Sequence, residues 1–265
     1  MARLVTGILF AAMIVELFVR VAVSAQSAAP DLSGVYYPYQ PPRGGGPSRG
    51  ATPPAAQGQR STPPPPPTRS APTGDLSNGR SPTAPSLTPE YMAKWEVIRK
   101  SRMSGSYEYD RAANCLPPGM PSMMGAAYGL EIMQGKDRIT FFSEWLDALR
   151  RVYIDGRKPT PKILNDPTYA GYSTGHWEGD TLVVDTVALH PDSFIDNSSP
   201  HSEDMTIKER IRFTSPGILE DRVTVTDPKA LTKPWETVFT YKKAERPNDE
   251  LREFACTEGL GRSPK

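Results

Sequence analysis

A series of short β-prone segments from residue 130 onward constrains the fold of this 265-residue chain more than any other feature. Apolar and polar residues alternate in these segments with period two, which is typical of strands with one buried face. The segments cover residues 130–134, 138–146, 149–154, 171–177, 181–187, 205–213, 218–226, 237–242 and 251–256. Turn sequences such as Asp155-Gly156 and Ser215-Pro216-Gly217 separate them. The pattern predicts a mainly β fold, an antiparallel barrel or a strongly curved sheet, within a domain over residues 90–265.

Two further elements are predicted ahead of this series. A helix is expected from about Pro89 to Met103, because Thr88 suits an N-cap, Pro89 suits the first helical position and apolar residues follow at helical spacing. The short β-prone segment 31–37, within the stretch 26–37, is expected to be a detached strand that docks on the domain.

The first 25 residues are typical of a secretory signal peptide. Arg3 precedes an apolar run over residues 4–15, and the small residues at 23–25 suit signal peptidase. Glu16 and Arg20 make a membrane-spanning helix costly in this stretch. We therefore expect an exported protein, periplasmic or extracellular, without stable membrane insertion after cleavage; an uncleaved anchor is the alternative.

Residues 38–89 are rich in proline and glycine and contain almost no large apolar side chains. They include five consecutive prolines at 63–67 and three glycines at 44–46. Such a segment buries too little apolar surface to offset the entropy of ordering it, which predicts a disordered linker. It is either a simple tether or, through its arginines, a contact with an anionic envelope surface.

The two cysteines of the chain, Cys115 and Cys256, are expected to form a disulfide. Thiols pair in the oxidising compartments that an exported protein reaches. The bond would contribute about 2–4 kcal/mol by constraining the unfolded chain. A catalytic thiol is the less favoured alternative, because it would leave the second cysteine unexplained.

Net charge and motifs exclude several functional classes. A net charge of +1 leaves no basic excess for nucleic acid. The three histidines and the acidic residues near them match no zinc or calcium spacing, so no metal is expected. The sequence also contains no phosphate-binding loop, dinucleotide fingerprint or nucleophile elbow, and we expect no cofactor.

Glu209 is the first candidate catalytic residue. Alternation places it on the apolar face of its strand with Ile207, Ile211 and Phe213. If that face lines a barrel lumen, desolvation raises the pKa of Glu209 and suits it to proton transfer or to binding a cationic or hydroxylated ligand. The alternative interpretation is a structural ion pair with Arg150 or Arg151.

His201 is the second candidate. It lies beside Ser202 and near acidic residues in a polar loop at the expected mouth of the barrel, where it is either a general base or an ordinary exposed histidine. The candidate ligand-binding residues are Arg150, Arg151, Tyr153, Trp145, Trp177, Glu203 and Asp196. Aromatic residues on strands are more often part of the core.

Four motifs resemble a family of exported soil-bacterial proteins that has no assigned activity. They are NCLPPGMP at 114–121, RRVYIDGR at 150–157, GHWEGDTLVVDT at 175–186 and PHSE at 200–203. The resemblance covers about residues 88–256 together with 31–36. It implies a lipocalin-like barrel and indicates neither a ligand nor a reaction.

Three functions remain open at this point. The first is an exported barrel that binds a small hydrophobic or aromatic molecule in its lumen. The second is a cofactor-free lyase, isomerase or hydratase that uses Glu209 and His201 as acid and base, with an arginine stabilising an oxyanion. The third is a cell-envelope interaction module that works through the linker. The sequence does not indicate an oligomeric state.

Overall fold

In the described part of the chain, nine strands form a closed barrel in sequence order, which confirms the mainly β prediction. The structure is a computed structural model and describes residues 29–40, 80–245, 250–254 and 256. The predicted signal peptide and most of the predicted linker lie outside the described residues. The strands are β1 (Gly34–Pro38), β2 (Leu130–Gln134), β3 (Arg138–Ser143), β4 (Ala148–Tyr153), β5 (Tyr172–Glu178), β6 (Thr181–Val187), β7 (Thr206–Ser215), β8 (Ile218–Thr226) and β9 (Trp235–Lys243).

The segment before the linker is an integral strand of the barrel. β1 pairs antiparallel with β2 on one side and with β9 on the other, and so closes the sheet. Tyr36 of β1 is fully buried, and its hydroxyl donates to the Leu32 carbonyl at 2.7 Å. A closed barrel has no free sheet edge.

The barrel wall has one weak seam, between β4 and β5. These neighbours run parallel, whereas every other neighbouring pair is antiparallel, and they share only two paired positions, Val152 with Ser173 and Tyr153 with Thr174. Parallel neighbours need a crossover connection. Residues 154–171 supply it outside the barrel and contain the short helix α2 (Pro161–Leu164).

The helix predicted after the linker is confirmed with the expected bounds, as α1 (Pro89–Met103). It packs on the end of the barrel where long loops leave β6 and β8. Trp95 donates from its indole nitrogen to Ser198 Oγ at 3.0 Å. Just before the helix, Leu87 forms an isolated antiparallel β-bridge with Leu231. Residues 80–88, which fall within the predicted linker, pack here too, since the Arg80 guanidinium lies 5.0 Å from the Trp95 ring.

The predicted strand over residues 251–256 does not form in the described part of that segment, and β1 pairs with β9 to close the barrel. The described part of this segment is irregular and runs along the outer surface, where the backbone N–H groups of Arg252 and Phe254 donate to Glu144 and Asp147. The predicted disulfide between Cys115 and Cys256 is present, with 5.8 Å between the Cα atoms.

The strand predicted over 138–146 also ends early, at Ser143. A 3₁₀ turn (Trp145–Asp147) follows it, in which Leu146 and Asp147 have φ angles of 59° and 47°. Such left-handed residues interrupt a strand.

Candidate functional site

A buried ion pair occupies the centre of the barrel. Glu209 faces inward from β7, as the alternation predicts, and is fully buried. The Arg150 guanidinium of β4 donates to both of its carboxylate oxygens, with 2.8 Å between Nη1 and Oε1. This is the ion pair that the sequence offered as the alternative to catalysis. Arg151 is exposed on the outer face of the same strand.

Arg150 also connects the two sides of the weak seam. Its Nε donates to Ser173 Oγ on β5 at 3.1 Å, and its Nη2 donates to Thr186 Oγ1 on β6 at 3.0 Å. The two hydroxyls lie 2.8 Å apart. One side chain from β4 therefore contacts β5, β6 and β7. It adds to the seam between β4 and β5, where the backbone ladder supplies only two paired positions.

Asp221 of β8 completes this interior cluster and was missed by the sequence analysis. Both of its carboxyl oxygens are buried beside the Glu209 carboxylate. Burial, followed by the nearby Glu209 carboxylate, raises the pKa of Asp221 well above its ordinary value. Its place on the apolar face of β8, between Leu219 and Val223, is the same signal that identified Glu209.

The ion pair of the interior cluster is closed to solvent. Arg150 occupies both oxygens of Glu209, and both side chains are fully buried. Tyr241 of β9 is also buried beside the cluster; burial raises the pKa of its phenol, and its hydroxyl donates to the Met124 carbonyl.

His201 is buried, contrary to its expected position in an open polar loop. It is 3% exposed because residues 188–205 fold over the barrel end beneath α1. Its Nδ1 lies 2.8 Å from the Ser202 carbonyl, and its Nε2 lies 2.7 Å from Ser193 Oγ. Because a carbonyl oxygen only accepts, Nδ1 carries a proton, while Ser193 Oγ donates to the His190 carbonyl at 3.0 Å. Burial lowers the pKa of His201.

The structure does not bring the two candidate catalytic residues together. Among the described residues, Glu209 hydrogen-bonds to Arg150, whereas His201 hydrogen-bonds to Ser193 and Ser202. Ser202 is held in turn by Asp227, which accepts from its hydroxyl at 2.8 Å and from its backbone N–H at 2.6 Å. His201 thus belongs to a hydrogen-bonded network that fixes the loop.

Four other candidates lie at separate places. Trp145 stacks on Tyr128 with 6.0 Å between the ring centroids. Trp177 packs against the core at the far end of β5. Glu203 forms an exposed ion pair with Lys229, and Asp196 accepts from two backbone N–H groups of its own loop.

Tyr153, the remaining candidate, lines a cleft on the outer face of the barrel. The cleft has a volume of about 490 Å³ and lies between the seam and the crossover that contains α2. Tyr153 of β4 and Tyr172 of β5 face it from opposite sides of the seam, with their ring centroids 5.3 Å apart and tilted by 31°. Lys162, Ile163, Asp166 and Thr168 of the crossover also line it.

Gly171 lets the crossover rejoin the barrel wall at the edge of this cleft. Its φ of +68° is in the left-handed region, and a Cβ atom there would lie 2.6 Å from Thr186 Cγ2. Backbone hydrogen bonds from Thr168 to Ala188 and from His190 to Thr168 fix the segment, at 3.0 and 2.9 Å. These contacts fix the end of the crossover that lines the cleft.

The polar groups of the cleft are suited to binding. Lys162 and Asp166 are exposed, and neither forms an ion pair in the part of the chain that the structure describes. Burial is the main cause of the raised pKa of the Tyr172 phenol, which is therefore neutral at ordinary pH. The described residues contain no group of three or more metal-ligating side chains. Within the same ranges, no helix combines the length and apolarity needed to cross a bilayer.

No protein-family model matches this chain, and no curated protein matches it either. The geometry of the interior cluster and of the outer cleft is what indicates a function.

Proposed function

We propose that the protein is an exported β-barrel that binds a small molecule in the outer cleft at the β4–β5 seam. The observation that carries the proposal is the pair of tyrosines, Tyr153 and Tyr172, that faces a cleft of about 490 Å³. Small-molecule sites are concave, commonly about 300–1,000 Å³, and combine apolar or aromatic walls with a few polar groups. Lys162, Asp166 and Thr168 supply those polar groups here.

The sequence predicts a ligand inside the lumen. The proposed site instead lies on the outside of the barrel. The centre of the barrel is occupied by the side chains of Arg150 and Glu209, and the Arg150 guanidinium lies 5.6 Å from the ring of the buried Phe141. A ligand in that position would have to displace the ion pair that joins the seam.

Binding is also favoured over the enzymatic alternative. Catalysis by Glu209 and His201 would need both side chains to face one open site. Both are buried, and each is engaged by its own partners at a different place in the molecule. The envelope-module alternative depends on the linker, most of which lies outside the described residues, so no observation favours it here.

The export part of the proposal rests on the N-terminal segment and on the cysteines. The basic residue, apolar run and small residues at 23–25 fit a signal peptide. A disulfide between Cys115 and Cys256 is typical of proteins from oxidising compartments. Kinship with the exported soil-bacterial family and its lipocalin-like members belongs to the same proposal and rests on the four motifs.

The proposal is tested by a ligand screen followed by mapping of the binding site. The full protein is purified from the periplasm, and a thermal-shift screen uses aromatic, terpenoid and sugar-derived small molecules. Compounds that stabilise the protein are then titrated into ¹⁵N-labelled protein. We expect amide shifts at residues 153, 162–168 and 172.

Two variants decide whether the binding belongs to the cleft. Tyr172→Ala should abolish the stabilisation, whereas Tyr107→Ala, which removes a 71% exposed tyrosine elsewhere, should leave it unchanged. Lys162→Met tests the cleft at an exposed position that has no role in the barrel wall. Stabilising compounds whose shifts map to the barrel interior, or that bind Tyr172→Ala and Lys162→Met as well as the wild type, would overturn the proposal.

A further inference from the structure

We infer that the ligand of the outer cleft is an aromatic zwitterion, a molecule with a planar ring, one ammonium and one carboxylate. This inference rests on the proposed function. The tyrosine pair would take the ring, Asp166 the ammonium and Lys162 the carboxylate.

The aromatic part of the inference follows from a preformed stack. The Arg157 guanidinium lies 4.2 Å from the centroid of the Tyr153 ring, and Tyr172 lies beside the same ring at 5.3 Å. Asp155 holds Arg157 in place, with 2.9 Å between Oδ1 and Nε. Aromatic rings add to such stacks in offset or tilted arrangements at about 4.5–7 Å between centroids. A planar ring in the cleft would extend a stack that the protein already orders.

The charged part follows from two side chains that have no ion-pair partner in the described part of the chain. Several exposed lysines elsewhere pair with carboxylates; Lys94, Lys208, Lys229 and Lys242 lie 2.8–3.4 Å from a carboxylate oxygen. Lys162 and Asp166 line one cleft, yet within the described ranges they pair neither with each other nor with another residue. Their spacing of four residues would bring them together on a helix. α2 ends at Leu164, so Asp166 lies beyond it and the two charges remain separate.

A zwitterion matches these two charges better than an ion of one sign does. A ligand with only a carboxylate is attracted by Lys162 and repelled by Asp166, and a ligand with only an ammonium meets the reverse situation. Complementary charges of this kind decide specificity more than total affinity.

Three probes that share one ring separate the two charges. L-phenylalanine carries both, 3-phenylpropionate carries the carboxylate, and phenethylamine carries the ammonium. Calorimetric titration of the full protein should show the tightest binding for L-phenylalanine. An exposed charge pair changes affinity by about two- to five-fold, which sets the size of the expected differences.

Two charge variants assign the roles. Lys162→Met should weaken L-phenylalanine and 3-phenylpropionate by that factor and leave phenethylamine no weaker. Asp166→Asn should weaken L-phenylalanine and phenethylamine and leave 3-phenylpropionate no weaker. Lys158→Met removes an exposed lysine that does not line the cleft and serves as the matched control.

The outcomes also separate this inference from the proposed function. If a sugar or terpenoid binds the cleft and L-phenylalanine does not, the zwitterion class is wrong and the binding function stands. The same conclusion follows if all three probes bind equally, or if both charge variants bind them as the wild type does. If neither the probes nor the screened compounds bind the cleft, both proposals are wrong.

Discussion

Replacing Arg150 with methionine should destabilise the barrel strongly, and more than replacing an exposed residue of the same strand. The substitution removes the guanidinium from Glu209 and breaks its bonds to Ser173 and Thr186. It leaves the Glu209 carboxylate fully buried near a second carboxyl, Asp221. A buried charge without a partner is costly.

The magnitude follows from the burial of both partners. Arg150 and Glu209 are fully buried, and removing one partner of a buried ion pair costs about 3–5 kcal/mol. For a chain of this size, a loss of about 4 kcal/mol lowers Tm by about 8–16 °C.

Urea unfolding monitored by tryptophan fluorescence measures the effect at pH 7. Arg151→Met is the matched control, because it removes the neighbouring arginine from the outer face of β4. Exposed substitutions of this kind usually change stability by less than about 0.5 kcal/mol. The double variant R150M/E209M should be more stable than R150M alone, since it removes both charges. A loss below about 1 kcal/mol for R150M, or a double variant no better than the single one, would refute the structural role of the pair.

Three further predictions concern pH and the disulfide. The folded protein retains a proton on Asp221, whose pKa is raised by burial and by Glu209, while the unfolded chain releases it above about pH 4. The free energy of unfolding should therefore fall as pH rises, by up to about 1.4 kcal/mol per pH unit until the folded pKa is passed. In D221N, urea denaturation at several pH values should show a smaller change with pH. Equal changes in D221N and the wild type would contradict this. Burial lowers the pKa of His201, so its contribution to the free energy of unfolding is complete above pH 6.5 and is lost as pH falls. In the same assay, H201Q should lose less stability than the wild type between pH 7.5 and 5. C115S/C256S should lower the free energy of unfolding by about 2–4 kcal/mol, and no loss would show that the bond is not stabilising.

Local patterns in the sequence are sufficient to predict most strands, α1 and the inward position of Glu209. Strand alternation and turn residues act over a few positions, and the Thr88-Pro89 start of α1 is a local signal as well. The same alternation places Asp221 on the apolar face of β8, so its burial is also predictable from a local pattern. The disulfide also followed from composition, since only two cysteines are present.

The features that the sequence could not supply depend on which distant segments meet. Burial of His201 requires α1 and residues 188–205 to close one end of the barrel. The choice of Arg150 over Arg151 depends on the register of β4, and a shift of one residue reverses it. The outer cleft arises from the parallel pairing of β4 with β5. No local sequence pattern predicts that pairing. The residue type of Tyr153 makes it a candidate from the sequence, whereas its contact with Tyr172 depends on this pairing.

The most direct test of the binding function is an NMR titration of the full protein with the strongest compound from the screen, L-phenylalanine included. We expect saturable shifts for the amides of Tyr153, Lys162, Asp166 and Tyr172, and their loss in Tyr172→Ala but not in Tyr107→Ala. Shifts confined to strands around Glu209 and Asp221, or an unchanged response in Tyr172→Ala, would contradict the assignment of the cleft as the ligand site.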